Sequence, residues 1–563
     1  MIFHDSHNLF YRSPFGAAEV SSAVTLRITA DMADSVKIRL WTDEKGEELR
    51  EMQREQGDNF CISLKMPKFG TVIWYHFIVH YPSGSICMYG APYDRMGGKG
   101  CEYIDAPFDY QITVYKPQAA PAWYKAGIMY QIFPDRFAKG SDFEQRAKES
   151  GYSIEKDWYK TPEYIKDESG EIKKWTFYGG TLKGIEEKIP YLKELGITTV
   201  YINPVFKARS NHRYDTADYM KIDPLLGTEE DFSSLCRALH ENDIHIIFDG
   251  VYSHTGADSI YFKKGSPYNE WFDKTESGAQ KYWWGVRDLP EVDETNPSYV
   301  KYICGADGVI HKWMNAGADG IRLDVADELP DAFIKEIRKR VKKEKADSVL
   351  IGEVWEDASN KESHGEKRRY LMGEELDGVM NYPLRSILID YATDLIDANI
   401  FNRRVVSLIE NYPKDCLLSS MDLLGSHDRR RILSVLFDHK ELVMMLYKLM
   451  FAMPGVPCIY YGDEAGLKGL ADPENRAAYP WGKEDKDLLS FFKELAKEYY
   501  EHPALADGDY EPVFTDKSVV SFIRKNENER VLVLANRNEI AQSVEFEGIK
   551  YDIPALTTIY RAL

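Results

Sequence analysis

Arg322 and Asp324 lie two residues apart in the stretch GIRLDV, where aliphatic residues alternate with charged ones. A period of two indicates a short strand with one apolar face and one charged face. A guanidinium so close to a carboxyl group favours its ionised form and should lower the pKa of Asp324. A structural ion pair at a strand end would give the same pattern, so this pair alone does not predict catalysis.

Two further acids follow apolar runs: Glu353 in VLIGEVWED and Asp428, next to His427, in LLGSHDRRR. Partial desolvation after an aliphatic run should raise the pKa of Glu353 towards the range that a general acid/base needs. Retaining glycoside hydrolysis uses an ionised carboxylate to attack the anomeric carbon and a protonated one to assist departure of the leaving oxygen. The three acids together therefore predict glycosidase chemistry.

The elements that would position these acids alternate between strand and helix from Gly127 onward. Eight strand-like stretches follow in order: GIMYQIFP, TTVYINP, HIIFDGV, GIRLDV, VLIGEV, GVMNY, LLSSMDLLG and GVPCIYYGD. This alternation is typical of a (β/α)8 TIM barrel, whose active site lies at the carboxyl ends of the strands. The stretch 255–297 is rich in aromatic residues and glycine and has no clear period, which predicts a subdomain inserted after the third strand.

Both ends of the chain show strand-like alternation without helical periodicity. Several short strands at regular spacing are typical of a β-sandwich, and the proline-rich KPQAAPAW marks the first boundary. We therefore predict an α/β fold with an N-terminal β-sandwich domain (1–116), the catalytic barrel with its inserted subdomain (117–500) and a C-terminal β-sandwich domain (501–563).

Net charge, hydropathy and cysteine content exclude some partners and indicate a cellular compartment. The formal net charge of -20 argues against a nucleic-acid partner, which would need basic patches. No apolar run approaches the length of a membrane span, and the N-terminus lacks the regions of a signal peptide. The seven cysteines are scattered without C-x-x-C spacing, which favours reduced thiols. These features predict a cytoplasmic protein with no membrane partner.

Nine motifs in a fixed order carry a resemblance to a known family. They are GIMYQIFPDRF, GGTLKGI, HRYDTADY, DGVYSH, LPEVDE, GIRLDVADE, GEVW, LLGSHD and GVPCIYYGDEAG. In combination they resemble the α-amylase family, glycoside hydrolase family 13, and most closely its neopullulanase, cyclomaltodextrinase and maltogenic-amylase branch. The similarity covers essentially the whole chain, including a β domain before the barrel.

The resemblance implies roles for individual residues. By motif, Asp324 corresponds to the family's nucleophile, Glu353 to its general acid/base and Asp428 to its transition-state stabiliser. The residues implied in substrate binding are Tyr214, His212, His254, Arg322, His427, Asp472 and Arg476.

Some of these binding roles are more specific than others. Tyr214 in HRYDTADY corresponds to the ring that stacks under the reacting glucose. Asp472 and Arg476 in GLADPENRAAYPW match a stretch that clamps the non-reducing glucose, for which an incidental ion pair in a loop is the rival explanation.

The resemblance leaves the metal content open. Many α-amylases bind calcium through an asparagine where this chain has Ser253, which argues against the usual site, although Asp293 resembles another of its ligands. Calcium needs hard oxygen ligands, and acids are abundant elsewhere in the chain. We expect no required cofactor and assign no metal ligand.

The implied activity is retaining hydrolysis of α-1,4 bonds in maltodextrins, cyclodextrins or pullulan, with α-1,6 action or transglycosylation beside it. Val325 after the nucleophile is the feature associated with α-1,6 tolerance. An α-1,6-specific debranching enzyme is the alternative, and a non-catalytic glucan-binding protein is a third reading that the three acids argue against. The implied partners are α-glucan oligosaccharides and, by analogy, a second copy bound through the N-terminal domain.

Overall fold

The structure, a computed structural model, describes residues 1–168, 172–363, 365–514 and 517–563. These residues fall into two units. The first contains Met1–Ala119, Glu356–Asp377 and Asn399–Leu417, and the second contains Ala120–Trp355, Gly378–Ala398 and Leu418–Leu563. The predicted boundaries near 116 and 500 stay a prediction.

The first unit is built on two β-sheets, as the alternating patterns predicted. The five strands of one sheet are Ile2–Phe3, Arg12–Ser13, Ala23–Ala30, Gln53–Arg54 and Asn59–Lys65. The seven strands of the other are Ala18–Glu19, Ser35–Thr42, Gly46–Glu51, Thr71–His80, Ile86–Gly90, Cys101–Tyr103 and Tyr110–Tyr115. Every second residue of Ala23–Ala30 is buried, so one face of this strand packs into the core and the other faces outward.

The second unit contains an eight-stranded parallel barrel. Its strands are β1 (Met129–Ile132), β2 (Thr199–Ile202), β3 (His245–Gly250), β4 (Gly320–Leu323), β5 (Val349–Gly352), β6 (Gly378–Val379), β7 (Met421–Leu423) and β8 (Val456–Tyr460). Neighbours in sequence pair in parallel, β8 pairs with β1, and a parallel bridge between Met380 and Met421 joins β6 to β7. The predicted (β/α)8 barrel is thereby confirmed.

Helices follow most of the barrel strands, as this fold requires. In the described chain as a whole, the helices of eight residues or more are Phe143–Ser150, Glu229–His240, Pro297–Cys304, Asp331–Glu344, Tyr382–Ala392, Ala398–Asn411, Lys440–Phe451 and Lys486–Glu501, and Ala398–Asn411 belongs almost entirely to the first unit. The shorter ones are Ala122–Lys125, Pro134–Phe137, Leu182–Glu187, Ile189–Glu194, Val309–Asn315, Lys414–Leu418, Ile432–Val435 and Ala504–Asp507. None of the helices in the described ranges is long and apolar enough to cross a membrane.

The inserted subdomain and the C-terminal sheets complete the second unit. The stretch after β3 has short 3₁₀ turns at Asn269–Trp271 and Trp283–Gly285 and isolated bridges in place of regular strands. The C-terminal strands are Asp509–Pro512, Val519–Lys525, Arg530–Asn536 and Thr557–Ala562 in one sheet, and Gln542–Phe546 and Ile549–Ile553 in a second.

Candidate active site

Arg322 lies on β4 and contacts three carboxyl groups. Its Nη1 atom lies 2.8 Å from Asp249 Oδ1 and 2.9 Å from Asp324 Oδ1, and its Nη2 atom lies 2.8 Å from Glu353 Oε2. Asp249 belongs to β3, whereas Asp324 and Glu353 directly follow β4 and β5. Parallel strands bring their carboxyl ends to one edge of the barrel, so acids far apart in sequence meet around one guanidinium.

The environment of Glu353 favours its protonated form. Glu353 is 3% exposed, and burial raises its pKa, in the direction expected from its sequence neighbours. Arg322 opposes this rise, and so does the backbone N–H of Val325, which donates to Oε2 at 2.9 Å. Val325 has a φ of 39°, which β-branched residues rarely adopt. The loop after β4 therefore uses a strained residue to hold the carboxyl group after β5.

The pKa of Asp324 differs from the sequence expectation. Burial, together with the nearby Glu353 and Asp249, raises it well above the ordinary aspartate value, although Arg322 acts in the expected direction. The expected lowering is wrong because the sequence shows the cation, but shows neither the burial of the Asp324 carboxyl group nor that three carboxyl groups share the cation. This excess of negative charge favours one proton on the pair formed by Asp324 and Glu353.

Asp428 follows β7 and is more open than the other two acids, with 31% of its side chain exposed. Its Oδ2 atom lies 2.9 Å from His427 Nε2, and its Oδ1 atom lies 3.3 Å from Arg476 Nη2. Burial opposes ionisation, but the contacts with His427 and Arg476 outweigh it and lower the pKa of Asp428 below its ordinary value. Asp428 therefore remains a carboxylate.

The hydroxyl of Tyr214 connects the group around Arg322 to His427. It donates to Asp249 Oδ2 at 2.8 Å and lies 2.6 Å from His427 Nε2. The rings of Tyr214 and His427 are nearly parallel, with centroids 5.2 Å apart. Asn203, which directly follows β2, donates to the same hydroxyl at 3.0 Å. The phenol ring is therefore held in place by several strand ends.

Gln131 on β1 and Asn203 after β2 select one tautomer of the His427 ring. Gln131 Nε2 donates to Asn203 Oδ1 at 3.0 Å, which sets the orientation of the amide, and to His427 Nδ1 at 2.9 Å. Because Nδ1 accepts, the proton of the neutral ring is on Nε2, which faces Asp428. Neither amide was predicted as a site residue. The available signal was a polar residue near the end of an otherwise apolar strand.

The two remaining predicted histidines are neutral at neutral pH. Burial lowers the pKa of His212 well below its ordinary value, and its Nδ1 accepts from the Tyr214 N–H at 3.1 Å. Burial lowers the pKa of His254 to about 4, and its Nδ1 lies 2.9 Å from the Ser253 hydroxyl. Neutral imidazoles can donate to or accept from sugar hydroxyls, so both rings suit an uncharged polyhydroxylated ligand.

Asp472 and Arg476 form an ion pair of 3.0 Å in the loop after β8. The Asp472 carboxylate also accepts from the hydroxyl of Tyr164, at 2.8 Å and 2.7 Å for its two oxygens, and Tyr164 comes from the long loop between β1 and β2. All predicted site residues except His254 are thus linked by hydrogen bonds or ion pairs. His254 lies close enough to His212 to influence its pKa.

Two adjacent tryptophans of the inserted subdomain were not predicted as part of this site. Trp283 Nε1 donates to Glu328 Oε2 at 2.6 Å, and Trp284 Nε1 donates to Glu328 Oε1 at 2.7 Å. The ring centroids of Trp283 and His254 lie 5.0 Å apart. The signal in the sequence was a Trp-Trp pair in the insertion and an acid four residues after Asp324.

Ser253 and Asp293, where the resemblance would place calcium ligands, contact protein groups instead. The Ser253 hydroxyl pairs with His254, and Asp293 Oδ1 accepts from the hydroxyl of Thr295 at 2.5 Å and from its N–H at 2.9 Å. A serine hydroxyl already paired with an imidazole does not replace the amide oxygen that calcium prefers. These residues do not fit the calcium site of many α-amylases.

Residues 131–549 match the family model described as Alpha amylase, catalytic domain. The chain belongs to the α-amylase family. The matched range begins within β1 and contains the other seven barrel strands, the inserted subdomain and most of the C-terminal strands, so the resemblance drawn from the motifs is confirmed.

Known relatives place the chain within this family. An amylopullulanase of Thermoanaerobacter thermohydrosulfuricus is 36% identical over 603 residues, which cover 93% of this chain and 40% of that protein. A cyclomaltodextrinase of Geobacillus thermopakistaniensis is 34% identical over 460 residues, which cover 78% and 73%. The solved structure of a cyclic α-maltosyl-(1→6)-maltose hydrolase from Arthrobacter globiformis has a TM-score of 0.71 at 29% identity and covers 79% of this chain and 99% of that one. The chain spans less than half the length of the amylopullulanases it matches.

Proposed function

We propose that this chain is a retaining α-glucan hydrolase that cleaves α-1,4 bonds of maltodextrins, cyclodextrins or pullulan. The observation that carries the proposal is that one guanidinium, Arg322, contacts both Asp324 and Glu353 through its two terminal nitrogens. Two carboxyl groups that share one guanidinium are close together. Retaining glycosidases have a separation of about 5–5.5 Å, which leaves no room for water between nucleophile and sugar.

In this mechanism Asp324 attacks the anomeric carbon while Glu353 gives its proton to the departing glycosidic oxygen. The glycosyl group is then bound covalently to Asp324, and Glu353 is ionised. Glu353 next removes a proton from an incoming water, whose oxygen displaces Asp324 from the anomeric carbon, and the α-anomer returns. The single proton favoured on this pair is the one that the first step transfers.

Asp428 would stabilise the positive charge that develops on the sugar ring. Its lowered pKa keeps it ionised, and His427 presents an N–H to it, so both can also hydrogen-bond sugar hydroxyls. Tyr214 offers an aromatic face beside them, and His212 and His254 are neutral hydrogen-bonding rings.

Specificity for α-1,6 bonds is the second candidate. The amylopullulanase relative and the structural neighbour, a cyclic α-maltosyl-(1→6)-maltose hydrolase, favour some α-1,6 action. Val325 after the nucleophile points the same way. The cyclomaltodextrinase relative, which this chain matches over 73% of its length, favours the α-1,4 assignment. A non-catalytic binding role does not account for two buried carboxyl groups that share one guanidinium.

The test compares products from pullulan, a cyclodextrin and soluble starch, with Asp324→Asn as the matched inactive control. Panose from pullulan indicates α-1,4 cleavage, whereas maltotriose alone would establish debranching specificity. Proton NMR of fresh digests should show the α-anomer first, with the β-anomer growing by mutarotation. If the β-anomer came first, Asp324 would act as a general base and the retaining mechanism would be wrong.

We also propose a cytoplasmic location, a homodimer formed through residues 1–116 and the three-domain division given above. All seven cysteines lie in the described ranges and none of them forms a disulfide, which agrees with a reducing compartment. The dimer rests on analogy alone. Sedimentation velocity over a range of chain concentrations tests it, and a monomer throughout would contradict it.

A further inference from the structure

Three metal-binding side chains meet at the amino-terminal edge of the barrel, the edge opposite the candidate active site. His245 is the first residue of β3, Asp319 directly precedes β4, and His240 is the last residue of the helix Glu229–His240. One ligand atom from each lies within 4.8 Å of the others. The proposed glucan hydrolysis uses none of these residues.

The carboxyl group of Asp319 is the centre of this cluster. Its Oδ2 atom lies 2.8 Å from His240 Nε2 and 3.4 Å from His245 Nδ1. The backbone N–H of Ile246 donates to the same oxygen at 2.8 Å, which fixes the carboxylate.

His245 is oriented towards the cluster by its packing. Its ring stacks on Trp123, with centroids 3.8 Å apart and planes 19° apart. Its Nδ1 atom is buried and, among the described residues, has no hydrogen bond of good geometry. A buried imidazole nitrogen without a hydrogen bond costs free energy, and a metal ion at this position would satisfy it.

We propose that His240, His245 and Asp319 bind one zinc-class transition-metal ion. Two imidazole nitrogens and one carboxylate oxygen are typical zinc ligands, whereas calcium and magnesium prefer oxygen alone. His240 also lines an open cavity of about 490 Å³ together with Glu241 and Asn315. The cavity therefore reaches one of the three proposed ligands, His240.

Lys345 should weaken the affinity of this site for a metal ion. Its ammonium group contacts Asp319 Oδ1, the oxygen that does not face the histidines. It holds the carboxylate but repels a dication bound to the other oxygen. We therefore expect Lys345→Met to tighten zinc binding, the opposite of what removal of a supporting residue would do.

The ion would link the starts of β3 and β4, the strands whose other ends carry Asp249 and Asp324. A ligand that binds only the folded chain raises its stability with concentration. Zinc should therefore raise the melting temperature of the full chain without being needed for hydrolysis.

The experiment uses the full chain after dialysis against a chelator. Isothermal titration with Zn²⁺ should show one site per chain, and the melting temperature should rise as Zn²⁺ is added. His245→Ala and His240→Ala should lose at least tenfold in affinity and most of the shift in melting temperature. The matched control is His311→Ala, since His311 also pairs with an acid, Glu344, at 3.0 Å outside the cluster.

Circular dichroism and wild-type hydrolysis without metal would show that each variant is folded. Co²⁺ in place of Zn²⁺ should give visible absorption bands that His245→Ala lacks. Equal zinc affinity in wild type and His245→Ala would overturn the proposal, and so would a weaker site in Lys345→Met. Failure of the proposed hydrolysis would leave these binding results unchanged, so the two proposals are tested separately.

Discussion

At the scale of single residues, the candidate site depends on one cation, the Arg322 guanidinium, which contacts three carboxyl groups. Arg322 is 1% exposed and contacts Asp249, Asp324 and Glu353, so it cannot neutralise all three. Burial, aided by neighbouring negative charge, raises the pKa of Asp324 and of Glu353, whereas Asp428, with its own partners, stays ionised. The site thus contains both a proton donor and permanent anions, which a retaining mechanism needs.

Glu353→Gln tests the acid/base role. The amide cannot donate a proton, so the rate on unactivated glucans should fall by about a hundred- to ten-thousand-fold. The loss should be much smaller on fluoride or nitrophenyl glycosides, because their leaving groups depart without protonation. Steady-state kinetics on both substrate classes measures the difference. An equal loss on both would assign Glu353 to a different role.

The raised pKa of Glu353 also predicts pH dependence. A general acid must be protonated, so the alkaline limb of kcat/KM should lie above the ordinary glutamate pKa of about 4.3, because burial raises this pKa. Protonation is favoured in the folded state, so the stabilisation is present at low pH and is lost as pH rises through the raised pKa. Urea unfolding across pH should therefore show a smaller loss of stability for Glu353→Gln than for wild type. An unchanged pH dependence in the variant would contradict this.

At the scale of elements, the sequence predicted the barrel strands, because their positions depend on local runs of apolar residues. All eight barrel strands appear where apolar runs predicted them. In the structure a break at Lys188 separates Leu182–Glu187 from Ile189–Glu194, and Thr228 caps the helix Glu229–His240. The motif resemblance also identified residues that the strand ends bring together.

Other contacts could not be predicted from the sequence, because they join residues that are far apart in the chain and meet only in the folded structure. Gln131 and Asn203 reach His427 only once β1, β2 and β7 lie in one barrel. The segment Glu356–Asp377 groups with the first 119 residues, a relation that no periodicity reveals. The sign of the pKa shift at Asp324 depends on the same long-range convergence.

The contact between the inserted subdomain and the loop after β4 predicts a substrate-size effect. Glu328 holds the indoles of Trp283 and Trp284, so Glu328→Ala should free both rings. We expect a several-fold higher KM for long maltodextrins and little change for a nitrophenyl glycoside. Glu336→Ala, an exposed acid on the following helix, is the matched control. Equal changes on long and short substrates would show that Glu328 affects the chemical step instead.

At the scale of the whole molecule, Ser253 stands where many α-amylases have a calcium-binding asparagine. This difference predicts that hydrolysis does not depend on calcium. The hydroxyl of Ser253 pairs with His254, and this serine lacks the amide oxygen that asparagine would offer to calcium. EDTA should leave most of the glucan hydrolysis measured by reducing-sugar release. A large loss that calcium restores, and zinc does not, would show that this prediction is wrong.

In the first unit, a buried ion pair predicts how much an N-terminal residue contributes to the free energy of unfolding. Glu410, in the segment Asn399–Leu417, lies 2.6 Å from Arg12 and 2.9 Å from His7, with 4% of its side chain exposed. Arg12 also donates to the carbonyl oxygens of Gln111 and Gly16. Removal of one partner leaves a buried charge unpaired, so Arg12→Ala should lower the free energy of unfolding by about 3–5 kcal/mol.

The matched control for this prediction is Arg50→Ala. Arg50 pairs with Glu48 on the surface, where both side chains are more than a third exposed, so its loss should cost about 0–1 kcal/mol. Urea unfolding followed by tryptophan fluorescence measures both variants. A large effect for Arg12 alone would mean that residues far apart in the chain, Arg12 and Glu410, unfold together. Equal small effects would mean that water reaches Glu410 in the folded chain and that its pair with Arg12 adds little stability.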